Sequence, residues 1–115
     1  MIDNWPEATR AFSANLRQLR GGAGETMKAF SALAQAALAP KALDTKTKEL
    51  IALAIGVAVR CDDCIAFHVK ACIEQGASRD EILETLSMAI YMGAGPSVMY
   101  ASHALAAYEQ MAQKD

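Results

Sequence analysis

The segment TKTKELIALAIGVAVRCDDCIAFHVKAC, residues 45–72, decides the fold of this chain. A charged first turn leads into Leu50–Val59, a run that contains no polar side chain. The run has about half of the roughly 20 residues that a membrane span requires, so it predicts a helix that is buried on most sides. The pair Cys61 and Cys64 then opens a second helix. The segment is therefore predicted to be a helix-helix hairpin that carries a C-x-x-C.

Helices are also predicted for the rest of the chain. About a fifth of the residues are alanine, the best helix former, and runs of β-branched and aromatic residues that would form strands are nearly absent. Caps and breakers, including an S-x-x-E capping box at Ser78 and Glu81, divide the chain into about six helices. Their predicted spans are 4–20, 25–39, 45–60, 61–76, 79–93 and 96–113. We therefore expect an all-α fold, a compact bundle that forms a single domain over residues 1–115.

Apolar residues at helical spacing define the expected buried faces. The inner face of the second helix is predicted to consist of Phe30, Leu33, Ala37 and Leu38. A core position or a subunit contact is predicted for Tyr91 and for three methionines near it, Met88, Met92 and Met99. Hydrophobic residues make up 53% of the chain, which favours a homo-oligomer that hides part of this surface in an interface.

Charge and cysteine content limit the functional classes. The net charge is −2 and the charges are dispersed, so neither nucleic acid nor an anionic membrane is an expected partner. The N-terminal residues lack the apolar region of a signal peptide, and we expect a cytoplasmic location. Cysteines stay reduced there unless they cycle, and three cysteines fit poorly with a static disulfide framework.

Cys61 and Cys64 have the spacing of a redox-active pair. Cysteines three residues apart on the first turn of a helix can bring their sulfurs within bonding distance. The free N–H groups of that turn favour the thiolate, which is the reacting species, and by this criterion alone Cys61 would carry it. His68 follows Cys64 by one turn and is placed to exchange a proton with it. Asp62 and Asp63 oppose thiolate formation because they add negative charge nearby.

Glu49 lies at the start of the apolar helix, 12 residues before Cys61. Twelve helical residues span about 18 Å. If the two helices pack antiparallel, Glu49 is level with the region from His68 to Cys72 and not with Cys64. We therefore expect Glu49 to act on Cys64 through His68 and not directly.

The pattern E-x11-C-x2-C-x3-H, formed by Glu49, Cys61, Cys64 and His68, resembles the signature of the AhpD-like proteins, which belong to the alkylhydroperoxidase and carboxymuconolactone decarboxylase superfamily. This resemblance implies an all-helical fold and a peroxidase or disulfide reductase that cycles between dithiol and disulfide without a cofactor. It implies Cys64 as the peroxide-reacting thiol, Cys61 as the resolving thiol, and Glu49 with His68 as a proton relay. It also implies homo-oligomers, commonly trimers or hexamers. An external dithiol, thioredoxin-like or lipoyl-bearing, would restore the pair.

One position departs from the family pattern. Characterised peroxidase members often have a histidine just before the second cysteine, whereas this chain has Asp63. The difference bears on the hydroperoxide substrate more than on thiol exchange. Two alternatives stay open: a cofactor-free decarboxylase that acts on a ring lactone, in a branch that does not rely on the cysteine pair, and a non-catalytic helical oligomer.

Other cysteine and histidine residues receive plainer interpretations. A zinc site is not expected, because a second C-x-x-C is missing and one straight helix cannot wrap four ligands around an ion. Cys72 is expected to be a buried small apolar residue, with a third redox role as the alternative. His103 has no partner recognisable in the sequence and is expected to be structural or interfacial.

Overall fold

Five helices account for most of residues 2–113, which are the residues that the structure, a computed structural model, describes. They are α1 (Trp5–Gly22), α2 (Gly24–Leu38), α3 (Thr45–Ala58), α4 (Asp62–Glu74) and α5 (Arg79–Met111). No strand occurs in this range. The prediction of an all-α bundle is therefore confirmed.

Side-chain caps fix where several helices begin. The side chain of Asn4 accepts a hydrogen bond from the backbone N–H of Glu7 at the start of α1. Asp44 does the same for α3. The predicted capping box is present at α5, where Ser78 and Glu81 each bond the other's backbone N–H. Such caps satisfy N–H groups that have no partner inside the helix.

The break in α5 explains why the sequence predicts one helix more than the structure has. Ala94 has φ 57° and ψ −142°, which is not helical, so two straight segments meet at this residue. Pro96 begins the second segment, as expected for a residue that cannot continue a helix. A side chain on Gly93 would collide with Ser97, so the turn needs glycine there. The predicted boundary near 93–96 is thus confirmed as a kink inside one long helix.

The core lies where α3, α4 and α5 pack together. Leu53 from α3, Ile65 from α4 and Ile82 from α5 have no exposed surface. The second segment of α5 contributes small residues to this packing: Ala101, Ala104 and Ala107. Trp5 of α1 closes one side of the core and is 2% exposed. Because this core is closely packed, it holds the α3–α4 turn in a fixed position.

Two predicted helix faces are wrong. In α2 no residue is buried, and Phe30 is 59% exposed. The apolar run of α3 is buried on only one side, because Ile51, Ile55 and Val59 form an exposed stripe on the other. Helical spacing identifies an apolar face but does not show what covers it, and no part of residues 2–113 covers these two faces. No helix among residues 2–113 is both long and apolar enough to cross a membrane.

The junction between α1 and α2 also differs from the prediction. Gly21 and Gly22 continue α1, where the sequence suggested that they end it. The single residue Ala23 then separates α1 from α2. Glycine lowers helix stability without forbidding a helix, so α1 keeps its last residues.

Candidate redox site

The turn between α3 and α4 presents the cysteine pair. Arg60 adopts a positive φ of 60°, which reverses the chain within two residues. The N–H of Cys61 then donates to the carbonyl oxygen of Gly56 at 3.0 Å, which ties the turn to the end of α3. Cys61 is the N-cap of α4, and Cys64 lies in its first turn. The pair is therefore held at the start of a helix, as predicted.

Cys61 and Cys64 form a disulfide, with 5.2 Å between their Cα atoms. The backbone N–H of Cys64 donates to the Sγ of Cys61 at 3.1 Å. Both cysteines are partly exposed. A thiolate on Cys61 would accept the same hydrogen bond and would lie at the positive end of the helix dipole.

Close packing against α3 restricts how Cys64 can move. A Cβ placed on Gly56 would lie 3.2 Å from the Cβ of Cys64. Because Gly56 is buried and has no side chain, α4 approaches α3 closely at this point. The Cβ of Cys64 is thus held close against α3.

His68 and Glu49 are joined across the two helices. The Nδ1 of His68 lies 2.7 Å from the Oε1 of Glu49. Glu49 is buried, with 6% of its surface exposed, whereas the His68 side chain is 32% exposed. A carboxylate can only accept, so Nδ1–H donates and the Nε2 of His68 is left free to take up a proton. The predicted level of Glu49 beside His68 is confirmed.

Cys72 is fully buried in the core. Burial raises the pKa of its thiol to about 12, and the negative charge of Glu49 adds to the increase. A thiol in this state forms almost no thiolate at neutral pH. Cys72 therefore behaves as the small apolar residue that the sequence predicts, and the alternative of a third redox role has no support.

His103 has a partner that sequence reasoning missed. Its Nδ1 lies 3.0 Å from the Oδ1 of Asp62, the residue that follows Cys61. Two aromatic rings lie near the imidazole, with centroid distances of 4.8 Å to Tyr100 and 6.4 Å to Trp5. No local pattern signals this pair, because 41 residues separate its members.

Other candidate residues lie apart from this arrangement. Asp63 is exposed, whereas Asp62 is partly buried and bonded to His103 on α5. The residues Met88, Tyr91, Met92 and Met99 are all exposed, so the core interpretation is wrong for them. Within residues 2–113, no three His, Cys, Asp or Glu side chains are grouped so that they could hold a metal ion.

Comparison with known proteins places this arrangement in a wider group. Residues 24–107 match the model of the carboxymuconolactone decarboxylase family. An uncharacterized protein of Cupriavidus necator is 41% identical over 85 residues, which cover 74% of this chain and 75% of that protein. An uncharacterized protein of Haemophilus influenzae is 37% identical over 108 residues, covering 94% and 96% of the two chains.

Two solved structures are similar over most of their length. A carboxymuconolactone decarboxylase family protein from Legionella pneumophila superposes with a TM-score of 0.92 at 48% identity, covering 95% of this chain and 97% of that one. A family member from Thermotoga maritima superposes with a TM-score of 0.79 at 33% identity, covering 89% and 90%. The range matched by the family model includes Glu49, both cysteines of the pair and His68.

Proposed function

The chain belongs to the carboxymuconolactone decarboxylase family, and from this premise we propose that it is a thiol-dependent oxidoreductase of the AhpD-like type, an alkylhydroperoxidase or disulfide reductase. One observation carries the proposal: the Cys61–Cys64 disulfide lies one helical turn from His68, whose Nδ1 is bonded to the buried Glu49. A cysteine pair at a helix start favours thiol exchange, and a histidine oriented by a carboxylate supplies proton transfer beside it.

The oxidising half of the cycle uses Cys64. His68 takes the thiol proton through Nε2, and the Cys64 thiolate attacks a peroxide oxygen. The O–O bond breaks, the sulfur becomes a sulfenic acid, and the alcohol leaves with a proton returned by His68. The Cys61 thiol then attacks the sulfenic sulfur, the S–O bond breaks, and water leaves as the disulfide forms.

The reducing half of the cycle uses an external dithiol, thioredoxin-like or lipoyl-bearing. A thiolate of that partner attacks Cys64, and Cys61 leaves as a thiolate that accepts the N–H of Cys64. The partner's second thiol then resolves the mixed disulfide and releases reduced Cys64, which recovers its proton from His68. Helix position thus favours Cys61 as the leaving group, whereas the relay favours Cys64 as the attacking group. The helix start and the relay therefore favour different sulfurs for different steps of the cycle.

The choice between peroxide and disulfide as oxidant depends on Asp63. This exposed carboxylate stands where characterised peroxidase members often have a histidine. A carboxylate there adds negative charge beside Cys64 and opposes formation of the thiolate that attacks the peroxide. The disulfide-reductase activity is therefore expected to exceed the peroxidase activity.

Thiol counting by mass spectrometry tests the proposal. The reduced chain has three thiols, and we expect one to remain after one equivalent of organic hydroperoxide, with the loss of two hydrogens. Cys64→Ser should keep its remaining thiols, whereas Cys61→Ser should form a sulfenic acid that dimedone traps. Cys72→Ala is the matched control and should form the disulfide normally. An unchanged thiol count in the wild-type protein contradicts the proposal, and lactone decarboxylation that survives the double Cys→Ser change favours the decarboxylase alternative.

A homo-oligomer, trimer or hexamer, is part of the same proposal. Its support is the apolar surface that one chain leaves uncovered, chiefly the stripe Ile51, Ile55 and Val59 on α3. Light scattering of the purified protein should give a mass of three or six chains. If the stripe lies in the interface, Ile55→Lys should lower that mass. A wild-type protein with the mass of a single chain contradicts the proposed oligomer.

A further inference from the structure

A second histidine-carboxylate pair lies next to the first cysteine of the redox pair. His103, on the second segment of α5, is bonded through Nδ1 to Asp62. Asp62 is the first residue of α4, and Cys61 is its N-cap. The pair Glu49 and His68 serves the Cys64 end of the disulfide, so each end of the C-x-x-C has its own histidine-carboxylate pair. The two pairs share no residue.

We propose that His103 is a positioning residue that sets the reactivity of Cys61 by holding the carboxylate of Asp62. This inference rests on the proposed function, because it concerns the redox equilibrium of the Cys61–Cys64 pair. His103 lies outside the E-x11-C-x2-C-x3-H pattern.

The electrostatic reason is the opposition between Asp62 and a Cys61 thiolate. A carboxylate one residue from a thiolate disfavours it, because like charges repel. A hydrogen bond from the Nδ1–H of His103 draws the carboxylate toward α5 and offsets its negative charge. The N–H of Cys64 can then stabilise the thiolate with less opposition.

The surroundings of His103 suit a fixed donor. The Asp62 side chain is 33% exposed and that of His103 is 20% exposed, so solvent weakens their interaction less than it would on an open surface. Tyr100 and Trp5 lie near the imidazole, and the partial burial of His103 limits the space in which the ring can rotate. The neighbouring charged residues Arg60 and Asp63 are both exposed, so solvent screens their charges more strongly.

The reduction potential of the disulfide tests this role at a single pH. We would equilibrate the protein with dihydrolipoamide and lipoamide at pH 7 and measure the dithiol fraction by alkylation and mass spectrometry. His103→Phe keeps the aromatic contacts but removes the donor, so the dithiol form should become less favourable. We expect about a tenfold fall in the equilibrium constant, which is about 30 mV toward a more negative potential. Asp62→Asn should shift the constant in the opposite direction.

The double variant separates positioning from a general structural effect. In an Asp62→Asn background, His103→Phe should leave the equilibrium constant within about twofold, because no carboxylate remains to be held. The matched control is Asp63→Asn, in whose background the His103→Phe shift should persist. If His103→Phe fails to fold by circular dichroism, His103→Gln replaces it, since its amide takes the position of Nε2 and leaves Nδ1 unreplaced.

Each result decides between separate claims. A His103→Phe shift that persists in the Asp62→Asn background, or no shift in the wild-type background, overturns the positioning role while the redox function stands. A pair that cannot be reduced and reoxidised at all overturns the proposed function together with this inference. A shift that appears only when Asp62 is a carboxylate supports the inference.

Discussion

Replacing Glu49 by glutamine should slow the oxidation of Cys64 by a hydroperoxide about 30-fold at pH 7. The substitution keeps the shape of the side chain and removes its charge. When His68 takes the thiol proton, its imidazolium is stabilised by the carboxylate that lies 2.7 Å from Nδ1. A neutral amide loses this attraction, and its NH2 group can also donate to Nδ1 and leave the proton on Nε2, where it blocks the base.

The magnitude follows from the geometry of the pair. Two unit charges about 4 Å apart near a protein surface attract by about 4 kcal/mol. The carboxylate is buried, but the His68 side chain is 32% exposed, so solvent screens part of the attraction. Taking about half of the full value leaves about 2 kcal/mol in the proton-transfer step, which is a factor of about 30 in rate.

Stopped-flow mixing of the reduced protein with excess tert-butyl hydroperoxide measures this rate, with samples quenched and alkylated to count thiols. The matched control is Glu74→Gln, which removes an exposed carboxylate from the same helix as His68. The control should react at the wild-type rate. Equal rates for the wild type, Glu49→Gln and Glu74→Gln would refute the relay, whereas circular dichroism of each variant excludes unfolding as the cause of a slow reaction.

Three further predictions concern packing, thiol reactivity and acid stability. Gly56→Ala should lower the free energy of unfolding by about 1 kcal/mol, since the new Cβ would lie 3.2 Å from that of Cys64 and crowding outweighs the gain in helix propensity. In the reduced native protein, iodoacetamide at about pH 8 should leave Cys72 unlabelled, because burial raises its thiol pKa to about 12. Hydrogen bonds from the Lys46 side chain, and then from a backbone N–H, lower the pKa of Glu81, so its contribution to stability is present above its ordinary value of 4.5 and is lost as the pH falls through the lowered value. Thermal melts of Glu81→Gln should therefore differ from the wild type at neutral pH and converge with it in acid.

Each of these predictions has its own control. Gly22→Ala, where a new Cβ has nothing within 4 Å, should not destabilise the protein, so a loss as large as that of Gly56→Ala would contradict the crowding argument. Labelling of Cys72 should appear once denaturant is added. If Cys72 in the native protein is labelled as fast as Cys61, the burial of Cys72 is contradicted. A constant difference between Glu81→Gln and the wild type at every pH would contradict the assigned linkage.

Part of the site could be predicted because its residues are close together in the sequence. The α3–α4 hairpin contains all four residues of the pattern, Glu49, Cys61, Cys64 and His68. Helical spacing and the 12-residue offset were therefore enough to predict which side chains lie at the same level. The capping box at Ser78 was predictable for the same reason, because its hydrogen bonds join residues three apart. The disulfide spacing likewise depends on a single helical turn.

The sequence by itself determined the all-α class, the approximate helix boundaries and the order of groups along the α3–α4 hairpin, because these depend on residues within one or two turns of each other. Only the tertiary structure decided that His103 meets Asp62 across 41 residues. It alone also decided that α2 and one side of α3 keep their apolar residues exposed. Such contacts are set by how whole helices pack, and helical periodicity carries no information about which face finds a neighbour.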